Sequence, residues 1–491
     1  MNPKAFLMFL TCLALVGVCV CLIAPPGEKR RAMWLAGLGL ILALGKIWLF
    51  QQAPQWQDTN PDSITYDLKA RAFALRWQGE TVLAEDYRLR GFLAWHQAGH
   101  VEPEWKQEDA FAWKSVIGSN EWLYTVYVAL WYWLAEASQN EVIFSNAIWA
   151  AFFPVSAFVI ALLLGTSRNV AYFAAALALA DPMAGVNASC LLKDTLIGFL
   201  AMACLCVAIR IIREGNWWLA LCLGVFLAYL SIGRYGAFFG FLCASVLVVA
   251  YMVYRRQIKP ATVFAFSMLM AWCLSGLLIY MPYVTRADFA HTPTQSLSGS
   301  IRVFQREEGD RGAAKTTVSW KKDFANNPVI AVVKSVAHTL FAPYPWVAIS
   351  SGLTWNSFNE LYYPGMILWI FCLPGIFLTL WHGVRKHDPV FWLLTFFFAS
   401  QLAAYTIWLG EWSTRQRVFV LPAFFVFAAI GWTGLYRRRR ELRMMSLEHG
   451  SRTISSIDGG VKRDKLEAKG SIELCRGILA IQDVVTQKQF E

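Results

Sequence analysis

Charged residues are scarce in this chain of 491 residues, because Asp, Glu, Lys and Arg together make up 16% of it. Soluble proteins carry about 25%, so the composition excludes an ordinary soluble globular protein. Instead, 57% of the residues are hydrophobic and 15% are aromatic, and the mean hydropathy is +0.42. We therefore expect an all-α polytopic membrane protein. The formal net charge of +11 does not indicate nucleic-acid binding, because the basic residues cluster at the ends of apolar runs.

Cysteine is missing from the long polar stretches. Almost all of the 11 Cys residues lie inside apolar runs, and residues 51–141 and 282–360 contain none. This distribution excludes a disulfide framework and a Cys-rich metal motif. The chain also lacks a tandem repeat and has few charges in the middle of apolar runs, which argues against a transporter built from two halves.

The apolar runs predict about eleven transmembrane helices, within a range of about 10–13, in one membrane domain over residues 1–436. The predicted spans are 5–24, 33–50, 142–164, 169–184, 188–210, 217–233, 236–254, 261–281, 361–381, 389–409 and 416–436. The first run lacks a small-residue cleavage site, so we expect a retained span. The basic clusters predict an outside N-terminus and a cytoplasmic, partly disordered tail over 437–491, in a bacterial cytoplasmic (inner) membrane.

Two large outer loops follow from this topology. Residues 51–141 hold 13 Asp and Glu against 7 Lys and Arg, whereas residues 282–360 hold 6 against 8. Within the first loop, Trp122 to Leu134 is apolar and aromatic but short for a span. Tyr and Trp favour the headgroup layer, so we predict an interfacial or re-entrant helix there, with a true span as the alternative.

The stretch DTNPDSITYDLKARAFALRW begins at Asp58, where the chain leaves the membrane. Pro61 and Asp62 favour a helix start. The apolar residues Tyr66, Ala70, Phe73, Ala74 and Trp77 then recur at helical spacing and predict one buried face. An acid at a membrane boundary often marks function. A helix cap explains Asp62 equally simply, and residue type alone favours the cap.

Basic residues at the same predicted membrane face are candidates for binding a phosphate. Lys193 precedes Asp194 at a predicted span start, where its ammonium would stand at the outer surface and Asp194 could pair with it. Arg415 and Arg417 open the last span, and Arg234 lies in a tight turn, all against the usual cytoplasmic preference. The alternatives are a plain helix start for Lys193 and neutralisation of nearby acids for the arginines.

His96 and His100 have the spacing of two metal ligands on one helix face. Gly99 and Pro103 interrupt any such helix, so solvated loop histidines are the favoured interpretation. These are the candidate metal ligands in the sequence, and dependence on a divalent metal stays open.

The acid after a span, followed by Tyr and a small-residue helix, resembles the C-type glycosyltransferases, which include protein O-mannosyltransferases and the lipid A aminoarabinose transferase. Asp181-Pro182 with Ser189 and Lys193-Asp194 is similar to a segment of this broad group. So is the Arg-x-Arg entry to the last span with its Pro422 and Gly431. The likeness covers most of residues 33–436 as topology and short motifs, and a paired Asp-x-Asp or Asp-Glu is absent at Asp62.

The resemblance implies transfer of a sugar from a polyprenyl-phosphate donor to a glycan, lipid or protein acceptor of the cell envelope, on the outer membrane face. Asp62 would be the catalytic base or orienting carboxylate, with Tyr66 in the accompanying Tyr position. Lys193, Arg234, Arg415 and Arg417 would then bind the donor phosphate. One alternative is a polysaccharide polymerase or ligase acting through Arg302, Arg306 and Arg311. The other is a lipid-linked glycan flippase or transporter.

Overall fold

The computed structural model describes residues 1–52, 61–95, 123–284, 327–341, 362–383, 388–408 and 417–438, and these residues are helical with no strand among them. The first nine helices are α1 (Pro3–Ile23), α2 (Lys29–Gln51), α3 (Pro61–Trp77), α4 (Thr81–Trp95), α5 (Leu123–Ala135), α6 (Gln139–Ala150), α7 (Phe152–Leu163), α8 (Arg168–Ala180) and α9 (Pro182–Ala188). The others are α10 (Asp194–Glu214), α11 (Trp217–Gly233), α12 (Tyr235–Tyr254), α13 (Ile258–Val284), α14 (Pro328–Phe341), α15 (Tyr362–Gly383), α16 (Pro389–Trp408) and α17 (421–438).

Within these described ranges, seven helical stretches are long and apolar enough to cross a membrane, with α6 and α7 counted together as one. The number is eight if the bent pair α8–α9 is also one span. This confirms an all-α polytopic membrane protein. The helices α11 and α16 coincide with predicted spans but belong to the shorter apolar helices, as does α5. The number of about eleven spans therefore stays a prediction. The predicted tail beyond residue 438 and the second outer loop apart from 327–341 lie outside the described residues.

Ion pairs gather charged helix ends at one end of the bundle, which we call the basic face. The guanidinium of Arg168 binds Glu28 at 2.8 Å, and that of Arg213 binds Asp388 at 2.7 Å. Arg213 also donates to the Leu163 carbonyl at 3.3 Å, close to Arg168 along the chain. Basic clusters that the sequence placed on one side of the membrane are thus neighbours in space.

The opposite end of the bundle holds the start of the chain and the start of α6. The backbone amide of Asn2 donates to the Glu141 carboxylate at 2.6 Å, and its side chain donates to the Ala135 carbonyl at 2.9 Å. Glu141 also forms a capping box with Ser138. Since α10 runs towards the basic face and α11 returns, Asp194 and Arg234 also lie at this opposite end, which we call the site face.

The predicted spans 169–184 and 188–210 are wrong in their bounds. The first helix ends at Ala180, bends by 45° into the short α9, and α10 begins only at Asp194. The break follows from Pro182, which has no N–H to continue a helix. Asp181 accepts a hydrogen bond from the Met183 amide at 3.1 Å and so caps α9. We call the five residues 189–193, which follow α9 and precede α10, the linker segment.

The helix α10 is the centre of the bundle, because 18 of its 21 residues are buried. Its neighbours approach closely where it carries glycine. A Cβ atom on Gly198 would lie 2.4 Å from the Phe153 ring and 3.3 Å from the Phe419 Cα atom. The turn before α17 therefore packs directly on α10.

The helices α15 and α17 cross with their backbones in contact at two glycines. A Cβ atom on Gly431 would lie 2.0 Å from the Gly375 carbonyl oxygen, and one on Gly375 would lie 2.6 Å from the Ala428 carbonyl oxygen. Thr379 on α15 donates to the Phe427 carbonyl at 2.6 Å. Close backbone approach through small residues is a general way of packing helices in membranes. Gly431, which the sequence offered as part of a motif, therefore has a packing role.

We expect Gly431→Val and Gly375→Val to destabilise the protein by about 3 kcal/mol, because a side chain there meets backbone atoms rather than a movable group. Thermal unfolding of the purified full chain in detergent measures the effect. Gly37→Val is the matched control, since nothing lies within 4 Å of a Cβ atom at that position. Equal stability of all three variants would contradict the close crossing.

Candidate anion-binding site

The linker segment is buried, and side chains from two other helices bind its backbone. The Cys190 carbonyl accepts from the Asn146 side chain on α6 at 2.9 Å, and the Leu191 amide donates to the Ser63 hydroxyl on α3 at 3.0 Å. Ser63, Asn146, Cys190 and Leu191 are all buried. A non-helical backbone inside a membrane protein needs such partners, because no water replaces them.

The Ser63 contact places the start of α3, and with it Asp62, beside the linker segment. Asp62 is the second residue of α3, and its side chain lies outside the described part of the structure. Tyr66 follows one turn later and packs edge-on against Tyr124 with ring centroids 5.2 Å apart. The hydroxyl of Tyr124 in turn contacts the Asn146 amide at 3.2 Å. Tyr66 is thus joined, through Tyr124 and Asn146, to the backbone of the linker segment.

The predicted buried face of α3 is confirmed in most positions. Ala70, Phe73 and Ala74 are buried, whereas Trp77 is 37% exposed. Trp77 packs edge-on against Trp133 of the aromatic helix α5 at 5.4 Å. The helix α5 is packed mainly against protein, because seven of its 13 residues are buried.

Lys193 is the last residue of the linker segment and is buried at 8% exposure. Its position at the outer membrane surface stays a prediction. Asp194 is the first residue of α10, as the plain helix-start interpretation expected. Its carboxylate binds the Arg234 guanidinium at 2.8 Å, with side-chain exposures of 1% and 14%. Neutralisation by acids was the alternative role that the sequence offered for Arg234, with Glu411 or Asp residues of the first outer loop as the expected partners rather than Asp194.

Arg417 joins the same region from the other side. The Arg234 guanidinium lies over the Phe419 ring at 5.4 Å, and Arg417 is two residues before Phe419 in the chain. Arg417 is 1% exposed, with its guanidinium 5.1 Å from the Trp369 ring centroid and one nitrogen 3.3 Å from the Met366 sulfur. A guanidinium held against an aromatic ring gains a favourable cation–π interaction.

We name Lys193, Asp194, Arg234 and Arg417 the cationic cluster. These described side chains comprise three cations and one carboxylate, all buried or nearly so. Buried charge is costly unless an opposite charge or a polar ligand compensates it. Near the linker segment, the Asn187 Oδ1 and Thr195 Oγ1 atoms are buried without a hydrogen-bond partner among the described residues. The arrangement is suited to binding an anion that also offers polar hydrogens or bound water.

A second carboxylate of α3, that of Asp67, makes contacts that hold this helix in place. Asp67 accepts from the Arg71 guanidinium at 3.1 Å and from the Tyr132 hydroxyl of α5. The Arg71 guanidinium also lies 4.6 Å from the Tyr132 ring centroid. Burial of Arg71 opposes its charge, but the Asp67 carboxylate more than offsets this, so the pKa of Arg71 is raised above its ordinary value. Asp67 therefore fastens α3 to α5.

Three predicted site residues, Arg415 and the candidate metal ligands His96 and His100, lie outside the described residues. Among the residues that are described, no group of three or more His, Cys, Asp or Glu side chains could hold a metal ion. Ser63 and Asn146 were not singled out from the sequence. A lone amide inside an apolar run was the one signal that pointed to Asn146, and nothing local pointed to Ser63.

We expect Asp194→Asn and Arg234→Gln each to destabilise the protein by about 3–5 kcal/mol, because each leaves a buried charge without its partner. The double variant should cost less than the sum by about 1 kcal/mol or more. Unfolding of the purified variants in mixed detergent gives the coupling. Strictly additive losses would contradict a functional ion pair between these two side chains.

Comparison with other proteins does not assign a function to this chain. The sequence matches none of the models of known protein families and none of the curated proteins with which it was compared. The arrangement around the linker segment is therefore the basis for assigning a function.

Proposed function

We propose that this protein is a glycosyltransferase that moves a sugar from a polyprenyl-phosphate donor to a cell-envelope acceptor on the outer face of the cytoplasmic membrane. The acceptor is a glycan, a lipid or a protein. Three features support this proposal: the multi-pass helical architecture, the position of Asp62 at the site face, and the cationic cluster beside it.

The observation that carries the proposal is the convergence of distant segments. The start of α3, the linker segment, Arg234 and the turn at 417–420 are separated by up to about 350 residues, yet a chain of contacts joins them: Ser63 to Leu191, Asp194 to Arg234, and Arg234 to Phe419. The sequence drew attention to these segments through their charged residues and, for most of them, through the family resemblance. A membrane protein that buries three cations near one helix start has a place for a lipid phosphate.

In the proposed reaction the acceptor hydroxyl attacks the anomeric carbon of the donor sugar. The Asp62 carboxylate takes the hydroxyl proton, or orients the hydroxyl, as a general base does. The bond between the anomeric carbon and the phosphate oxygen breaks, and the lipid phosphate leaves with the bonding electrons. Lys193, Arg234 and Arg417, together with Arg415, stabilise the negative charge that develops on that phosphate. Tyr66 lines the substrate side of α3.

The bent pair α8–α9 is the observation that favours a second candidate, a lipid-linked glycan flippase. Broken helices near the middle of a bundle are common in transporters. The two functions differ in where the donor accumulates when the protein fails. A flippase defect holds the donor on the cytoplasmic face, whereas a transferase defect leaves it on the outer face.

We expect Asp62→Asn to abolish one sugar decoration of the envelope while the lipid-linked donor accumulates on the outer face. The reason is that the amide cannot take the acceptor proton. Envelope glycan analysis and surface labelling of the donor, in cells carrying each variant at matched protein level, measure the two effects. Asp67→Asn is the matched control on the same helix, because it loosens α3 from α5 and leaves the proposed base in place.

Other results of these measurements would distinguish the alternative functions from one another. An unchanged glycan in Asp62→Asn would overturn the role of Asp62 and leave it a helix cap. Loss of the glycan on substitution of Arg302, Arg306 or Arg311, with Asp62 dispensable, would instead support a polymerase or ligase. Donor confined to the cytoplasmic face would support the flippase.

A further inference from the structure

Lys46 is the single charged residue of the predicted span 33–50, and its ammonium lies at the break between α8 and α9. It donates to the Leu179 carbonyl at 2.7 Å and to the Asp181 carbonyl at 2.6 Å. The Asp181 carboxylate is close enough to interact with it electrostatically. The sequence assigned no role to this lysine.

Lys46 and Asp181 together replace a hydrogen bond that the break removes. In a continuous helix the Leu179 carbonyl would accept from the amide four residues later, which is that of Met183. At the break, the Met183 amide donates to the Asp181 carboxylate instead, at 3.1 Å. The Leu179 carbonyl accepts from Lys46 in its place.

The break lies inside the protein, where water is scarce. Asp181 and Met183 are buried, and Lys46 is partly buried. A carbonyl left without a donor there is unfavourable. The ammonium, with its three donor hydrogens, meets this requirement.

The Lys46 stem passes directly over Gly185. A Cβ atom on Gly185 would lie 2.6 Å from both the Cβ and the Cδ atoms of Lys46. Glycine at position 185 therefore allows α2 to lie against α9 at this point. The site thus has two backbone carbonyl oxygens that accept from an ammonium, and a glycine surface that fits its alkyl stem.

We propose that the break between α8 and α9 is a cation site for a primary alkylammonium ion, and that Lys46 is its resident cation. Through this site Lys46 is a positioning residue for the linker segment, which follows α9 directly. The expected effect of Lys46 on anion binding rests on the proposed function. Its expected effect on the stability of the break rests only on its contacts with the two carbonyl groups.

The test removes the resident cation and returns it as a free ion. In Lys46→Ala the atoms lost beyond Cβ are three carbons and an ammonium nitrogen, which n-propylammonium reproduces. The full-length protein is purified in nanodiscs, and its melting temperature and its binding of polyprenyl monophosphate are measured. Lys29→Ala, at an exposed lysine of the same helix, is the control.

We expect Lys46→Ala to lower the melting temperature by about 3 °C or more and to weaken polyprenyl-monophosphate binding about tenfold. We expect n-propylammonium to restore both, while 1-propanol, of the same shape but uncharged, restores neither. Lys29→Ala should behave as the wild type with or without the ion. Rescue by 1-propanol equal to that by n-propylammonium would overturn the proposal, because it would reduce the site to a filled cavity.

If Lys46→Ala does not fold, Lys46→Met decides the question, because it keeps an alkyl stem over Gly185 and lacks the ammonium. A melting temperature equal to that of the wild type would overturn the cation site, and a lowered one supports it. If n-propylammonium rescues stability while the wild type binds no polyprenyl monophosphate, the cation site stands and the proposed glycosyltransferase function fails.

Discussion

The helical path is interrupted twice inside the bundle, at the break before α9 and in the linker segment, and the peptide groups at both places need partners from elsewhere. Side chains from three other helices supply them: Lys46 from α2, Ser63 from α3 and Asn146 from α6. Each of these contacts also fixes one helix relative to the others. The position of α3, and therefore of Asp62, is consequently tied to the same backbone that leads into α10.

The cost of burying charge explains why the cationic cluster sits where it does. Arg234 is compensated by Asp194 and packs over Phe419, whereas Arg417 lies against Trp369. The cluster thus brings three cationic side chains and one carboxylate into a region of low dielectric constant. Burying these charges is costly for stability, and the cations are of the kind that bind an anion.

The sequence predicted those features that depend on local pattern. Hydropathy predicted the helical membrane architecture, and the basic clusters predicted which loops lie on the same side of the membrane. Helical spacing identified the buried positions Ala70, Phe73 and Ala74 of α3. The predicted span 169–184 ran through Asp181-Pro182, where the helix breaks, and the burial of Lys193 depends on how α9 packs. Pairs distant in sequence, such as Asp194 with Arg234, are set by tertiary packing and leave no local signal. Lys46 is recognisable in the sequence as a lone charge in an apolar run, but its partners follow only from the fold.

The most direct measurement is the affinity of the full-length protein in nanodiscs for polyprenyl monophosphate, compared between the wild type and Arg417→Gln. A charge-assisted hydrogen bond contributes about 1.5–3 kcal/mol, so loss of the guanidinium should weaken binding by about 10-fold to 100-fold. The salt dependence of binding should become shallower in the variant, because one cation no longer faces the phosphate. Equal affinity and equal salt dependence in the two proteins would contradict a phosphate site in the cationic cluster.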